Sequence, residues 1–248
     1  MMHQAGLVII GEIHGTNEFS RLVWELASAA LESGPVRMAI EQDAGDQGEL
    51  DRFMDSDGGQ VATERLLSSH VWHAGDGRGS RAVLDLIDRC RRLRAAGLPM
   101  DVRLVDMGLS DVGMGPSSST RRDQVIAERL AAECSSSAAV LALLGSVHAR
   151  LDAHLRSHTE PSFRPAAAIL RRQMPVLSLL GVHGGGTAWC IRMQDGKPLS
   201  GAHFFRGRER GPEPFFELAS SEPGYDGVAY VPSITASAPA IHGPDRSV

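Results

Sequence analysis

Four short apolar runs alternate with helical patterns over roughly the first 150 residues, and this alternation most constrains the fold. The runs are Leu7–Ile10, Val36–Ile40, Asp101–Val105 and Ala138–Leu144. They are largely apolar throughout, as expected for strands that are buried on both faces of a parallel sheet. The sequence therefore predicts an α/β fold, a three-layer sandwich with a mostly parallel central sheet.

Apolar residues with the spacing of a helix occur after the first run and again before the third. One helix is predicted after a cap at Thr16 or Asn17, and another over residues 80–96. Beyond residue 151 the pattern weakens, and the last residues are small and include proline. We predict a single α/β domain over residues 1–235 and a disordered C-terminal tail over residues 236–248.

The composition is that of an ordinary globular protein. Of 248 residues, 42% are hydrophobic and 22% charged, and the formal net charge is −5, which does not favour a nucleic-acid partner. No run reaches the roughly 18 consecutive apolar residues that a membrane helix needs. The three cysteines, Cys90, Cys134 and Cys190, are widely spaced, as is typical of reduced thiols. We predict a cytoplasmic protein with neither nucleic-acid nor membrane partner; its oligomeric state is not indicated.

Ionisable residues stand where the four predicted strands end. Glu12 and His14 follow the first strand, Glu41 the second, Asp106 the third and His148 the fourth. Because the carboxyl ends of parallel strands share one edge of a sheet, these side chains are expected to lie together, where such sheets bind ligands. The sequence therefore predicts a functional cluster at this edge.

Each of these residues also has a structural interpretation when taken alone. His14 is then a capping or buried structural histidine, and Glu41 is an ordinary carboxylate at a helix N-terminus. Four strands that all end in an ionisable residue favour the functional interpretation. Asp76 and Arg78 lie in a glycine-rich loop before a predicted helix, where they either border a pocket or cap that helix.

Two Gly-x-x-His motifs give the chain a resemblance to known proteins. The motifs are Gly11-Glu-Ile-His14 and Gly145-Ser-Val-His148, accompanied by Glu18, by Glu41 at the end of a strand and by Arg122-Asp123 at the start of a helix. The pattern resembles the erythromycin esterase-like, ChaN-like and Tiki/TraB-like proteins. The esterase-like branch implies that Glu12 and His14 activate water, the Tiki-like branch implies a metal-dependent peptidase, and the ChaN-like branch implies haem binding.

Together with this resemblance, the residues suggest a hydrolase that acts on an ester, amide or peptide-like bond of a small-molecule or peptide-like substrate. An imidazole takes a proton from water near neutral pH when a carboxylate fixes its tautomer. We therefore hypothesise that His14 is the general base, oriented by Glu12 or Glu41, and that His148 orients water or protonates the leaving group. The candidates for substrate binding are Asp76, Arg78, Asp106 and Arg122.

Two alternatives remain open at the level of sequence. His14, Glu41 and His148 could supply the three ligands of a zinc, manganese or iron ion. Alternatively, the chain is a non-catalytic protein that binds haem or another small ligand, with Tyr225, Tyr230 or a histidine as the axial ligand of haem.

Overall fold

The structure, a computed structural model, describes residues 6–108, 117–134, 137–152, 163–219 and 222–241. For residues 117–120 it describes the backbone only. Within these ranges the chain forms nine strands and six α-helices. The strands are β1 Leu7–Glu12, β2 Val36–Asp43, β3 Met100–Asp106, β4 Ala139–Gly145, β5 Val176–His183, β6 Gly185–Gln194, β7 Lys197–Arg206, β8 Phe215–Leu218 and β9 Gly227–Val231. The helices are α1 Asn17–Leu31, α2 Gln47–Met54, α3 Gln60–Leu66, α4 Arg81–Ala95, α5 Ser117–Glu133 and α6 Ala166–Leu170.

Seven of the strands form one sheet with the order β3-β2-β4-β1-β5-β9-β8. All neighbouring pairs in it are parallel except β8–β9, so the sheet is mostly parallel, as the sequence predicts. The strands β6 and β7 form a separate antiparallel hairpin.

The central strands are buried on both faces because both sides of the sheet carry helices. In β1, Val8 and Ile10 pack into the apolar core that includes α1 and α4, whereas Leu7 and Ile9 pack into a second core with α5 and α6. The predicted three-layer α/β sandwich is therefore confirmed, and the continuous apolar runs have the physical cause inferred from the sequence.

The chain beyond residue 235 packs against the domain, which differs from the predicted disordered tail. Ser237 and Ala240 are buried, and the Thr16–Ala236 and Ser80–Pro239 pairs form isolated bridges. Small residues fit here because they allow this backbone to lie close to the loops that precede α1 and α4. The packed structure thus extends to residue 241, and residues 242–248 lie outside the described ranges.

Candidate active site

A cleft of about 380 Å³ opens at the carboxyl ends of four adjacent strands. In spatial order, the first of these strands, β3, ends at Asp106, and Glu41 lies near the end of its neighbour β2. Next to β2, β4 leads into the turn that carries His148, and β1 leads into the segment from Glu12 to His14. The structure therefore brings together all five ionisable residues that sequence reasoning placed at the strand ends. Asp76, Arg78 and Arg122 join them at the cleft.

The first histidine is held by the carboxylate at the end of its own strand. His14 Nδ1 lies 3.0 Å from Glu12 Oε1, and the Glu12 side chain is 4% exposed against 22% for His14. The chain can turn sharply after His14 because Gly15 has a φ of +71°, a conformation that favours glycine. This turn leaves His14 Nε2 directed towards Glu41.

Glu41 occupies the centre of the cluster. Its Oε2 accepts a 2.6 Å hydrogen bond from the backbone N–H of Gly145, and its Oε1 accepts one of 2.6 Å from Arg122 Nη2. The same Oε1 faces His14 Nε2 at 3.5 Å and His148 Nε2 at 3.6 Å, distances of ion pairs rather than strong hydrogen bonds. A Cβ at position 145 would lie 2.9 Å from His14 Nε2 and 3.3 Å from Glu41 Oε2, so a larger residue there would displace these side chains.

The second histidine is held by a carboxylate to which sequence reasoning assigned no role. His148 Nδ1 lies 2.8 Å from Asp123 Oδ1, and this oxygen also accepts a 2.7 Å bond from the backbone N–H of Ala166. Asp123 is fully buried. The signal in the sequence is the Arg122-Asp123 pair, which accompanies the two Gly-x-x-His motifs and in the structure lies within α5.

The candidate substrate-binding residues form an ion-pair network of their own. Arg122 binds Asp106 through Nε at 2.7 Å and Nη2 at 2.6 Å, and Arg78 Nη1 binds the same carboxylate at 2.8 Å. Arg78 also holds Asp76 through Nε and Nη2, at 2.8 and 2.6 Å. All three nitrogens of the Arg78 guanidinium are thus engaged by carboxylates. Among the described residues, Arg122 Nη1 has no such partner.

The charges of the cluster favour the protonated forms of both histidines. Burial by itself lowers the pKa of His14, but the charge of Glu41 and the hydrogen bond to Glu12 raise it to about 10. Burial also opposes the charged form of His148, whereas Glu41 and Asp123 raise its pKa. Burial tends to raise the pKa of Glu41, yet both histidines hold it well below its usual range. Burial raises the pKa of Glu12 despite the neighbouring imidazole.

The donor set does not fit the metal ion considered from the sequence. No group of three or more His, Cys, Asp or Glu side chains in the described part of the chain is arranged to hold a metal. The Glu41 oxygen that both imidazoles face already accepts a hydrogen bond from the Arg122 guanidinium. A cation at this oxygen would meet a fixed positive charge, so these three residues do not fit a metal ion.

The two cleft histidines and the two tyrosines have other contacts at the atoms that would bind haem iron. Both imidazoles of the cleft have Nδ1 on a carboxylate and Nε2 directed at Glu41. The hydroxyls of Tyr225 and Tyr230 donate to backbone carbonyls. Iron ligation by any of these side chains would require breaking an existing contact.

Comparisons with known proteins identify the fold. No protein-family profile matches the sequence, and no curated protein matches it. Among solved structures, the chain is similar to a variant of erythromycin esterase EreC in its open conformation, with 12% identity, a TM-score of 0.70, and coverage of 95% of this chain and 92% of the other. A succinoglycan biosynthesis protein gives 11% identity and a TM-score of 0.65 over 96% and 90% of the two chains.

A further similar structure is haem-bound ChaN of Campylobacter jejuni, with 12% identity and a TM-score of 0.50 over 82% and 89% of the two chains. The protein thus has the α/β fold of erythromycin esterase, and the resemblance found in the sequence is confirmed at the level of fold. Identities of this size establish the architecture alone. Within the described residues, no helix has the length and apolar character needed to cross a membrane.

Proposed function

We propose that the protein is a hydrolase that activates water between two histidines at the carboxyl edge of its sheet, with an ester, amide or peptide-like bond as substrate. One observation carries the proposal: the Nε2 atoms of His14 and His148 face one Glu41 oxygen across an open cleft. Each imidazole also has its own carboxylate on Nδ1, which orients the ring and stabilises its charged form.

Hydrolysis needs one group that accepts a proton from water and a second that donates one to the leaving group. His14, with a pKa raised to about 10, retains its proton at neutral pH, so we assign it as the acid. His148 then serves as the base once it has lost its own proton. This exchanges the roles expected from the sequence, which predicts one carboxylate, Glu12 or Glu41, as the partner of His14 and not the combined effect of both on its pKa.

The proton balance of the reaction follows from this assignment. Water attacks the carbonyl carbon while one of its protons moves to His148 Nε2. The bond to the leaving group breaks as His14 Nε2–H donates its proton to that group. His148 then releases its proton to solvent in the open cleft and His14 takes one up, which restores both rings. Arg122 Nη1 is our candidate donor to the developing oxyanion.

The substrate is proposed only as a class. The fold shared with an erythromycin esterase supports an ester as the first bond to test. Arg78 is the weaker candidate for binding a substrate carboxylate because its three guanidinium nitrogens are already engaged. We place the activity in the cytoplasm on the basis of the three free cysteines.

The test is hydrolysis of a panel of para-nitrophenyl esters of increasing acyl length by the wild type, His14→Gln, His148→Gln and the matched control His203→Gln, a partly exposed histidine of the hairpin. We expect turnover to fall about 100-fold or more in the two cleft variants, as is usual when a general acid or base is removed. The control should retain it, and EDTA dialysis should leave it unchanged. Equal activity in all four proteins would refute the proposal.

A further inference from the structure

A buried carboxylate on α5 holds the second histidine, and sequence reasoning gave it no function. Asp123 has no solvent exposure, and its Oδ1 accepts hydrogen bonds from His148 Nδ1 at 2.8 Å and from the Ala166 N–H at 2.7 Å. Its other oxygen, Oδ2, has no hydrogen-bond partner among the described residues. A buried carboxylate without full hydrogen bonding is unfavourable, so a purely structural role would be better served by an amide or an apolar side chain.

The arrangement repeats that of the first histidine on the opposite side of Glu41. On one side Glu12 holds His14 Nδ1, and on the other Asp123 holds His148 Nδ1; both Nε2 atoms then face the same oxygen. The two carboxylates come from unrelated elements, since Glu12 ends β1 and Asp123 lies within α5. Each nevertheless fixes a ring so that Nε2 faces the cleft.

We propose that Asp123 is a positioning residue that fixes the tautomer and ring orientation of His148, so that Nε2 faces the water-activating side of the cleft; this rests on the proposed function. The Ala166 N–H holds the carboxylate itself. Helix α6 therefore helps to orient His148 although it contributes no side chain to the cleft lining.

The first experiment measures the hydrogen bond and needs no substrate. In protein labelled with ¹⁵N-histidine, we expect an exchange-protected Nδ1–H resonance that disappears in His148→Gln and is thereby assigned. In Asp123→Asn, which keeps the size of the side chain, this resonance should lose its protection from solvent exchange. The control Glu128→Gln, an exposed position on the same helix, should leave it unchanged. An unaltered resonance in Asp123→Asn would overturn the proposal.

The second experiment uses the para-nitrophenyl ester that the wild type hydrolyses best. We expect Asp123→Asn to lower kcat by about 100-fold or more while KM stays within about twofold, because the substrate does not touch Asp123. Asp123→Glu, which restores the charge, should recover part of the loss. A folded Asp123→Asn protein with kcat within threefold of wild type would show that the carboxylate is structural only.

The two experiments separate this proposal from the proposed function. If the wild type hydrolyses none of the esters, the hydrolase proposal fails for that substrate class, whereas the resonance still decides whether Asp123 orients His148. If the wild type is active and the resonance is independent of Asp123, the hydrolase proposal survives and the role of Asp123 is rejected.

Discussion

Glu41 is the residue on which the charge state of both histidines depends. It is buried and ionised, its two oxygens accept hydrogen bonds from Arg122 and the Gly145 N–H, and both Nε2 atoms face it. A carboxylate in this position raises the pKa of each imidazole. Its chemistry is therefore electrostatic, since a carboxylate with so low a pKa is a poor proton acceptor.

Glu41→Gln is expected to lower the pKa of His14 from about 10 towards its ordinary value near 6.5, because the amide keeps the shape but removes the charge. The measurement is an NMR titration of the His14 ring protons. Glu64→Gln, at a position exposed on α3, is the matched control. A His14 titration that does not move would show that Glu12 alone sets the pKa.

The raised pKa of His14 also predicts how stability depends on pH. The folded-state pKa is about 10 and the unfolded value about 6.5, so the contribution of His14 is fully present below about pH 6.5 and is lost as pH rises through 10. The free energy of unfolding of wild type relative to His14→Gln should therefore fall between pH 7 and 10, by on the order of a few kcal/mol at most. Urea titrations at four pH values test this, and a constant difference would contradict it.

At the residue scale, the sequence alone predicts the ionisable residues at the strand ends. It does not predict which residues of the helices contact them. Glu12, Glu41 and Asp106 could be placed because each directly ends a buried apolar run. Asp123 could not, since its meeting with His148 depends on how α5 packs against the sheet. Likewise, the ion pair between Arg78 and Asp106 joins residues 28 positions apart through a loop conformation that no local pattern encodes.

The β6–β7 hairpin lies beside the cleft and ties two of its loops together. The Trp189 N–H donates to the Gly15 carbonyl at 2.9 Å, next to His14. Ser200 Oγ donates to the Gly75 carbonyl at 2.6 Å and accepts from Trp189 Nε1 at 2.9 Å. Because a two-stranded hairpin is only marginally stable alone, these hydrogen bonds should stabilise the hairpin as well as the two loops.

Ser200→Ala is expected to release the loop that carries Asp76 and Arg78 and to destabilise the protein by about 1 kcal/mol, the usual contribution of a hydrogen bond. Hydrogen–deuterium exchange should become faster in the hairpin and in residues 75–78. Lys197→Ala, at an exposed position near the hairpin tip, serves as the control. Unchanged exchange in residues 75–78 would show that the tether does not hold this loop.

At the element scale, burial explains which strands could be predicted. Strands β1 to β4 could be predicted because they appear in the sequence as largely apolar runs. The sequence does not reveal strands β7 and β8 because none of their residues is buried, so that no apolar pattern marks them. Strand β9 is fully buried but only five residues long, too short to be distinguished from a loop by periodicity.

At the scale of the whole molecule, the segment after β9 forms hydrogen bonds with backbone groups of the N-terminal half of the chain. The first helical N–H groups of α4 have no cap from Ser80, so Arg81 N–H donates to the Ala238 carbonyl at 2.8 Å and Ala82 N–H to Ser237 Oγ at 2.9 Å. The Ser237 N–H also donates to the Gly15 carbonyl at 2.8 Å. Ser237 and the Ala238 carbonyl thus take the place of a local cap for α4. In the sequence, the same run of small residues is typical of a disordered tail.

Ser237→Ala is expected to destabilise the protein by about 1 kcal/mol because the Ala82 N–H is then left buried without its acceptor. Thermal unfolding compares this variant with Ser233→Ala, which changes an exposed serine of the same segment. Equal melting temperatures for the two variants would mean that Ser237 Oγ does not cap α4.

These contacts join the two ends of the described chain, as the hydrogen bond between Asn17 and Thr235 shows across 218 positions. A ribosome delivers the N-terminal residues first, so Glu12, His14 and Glu41 emerge long before the segment that holds the loop around Gly15. A nascent chain therefore carries the chemical groups of the cleft without their final backbone support. The emergence of this later segment, rather than the formation of the first strands, completes the backbone support of the cleft.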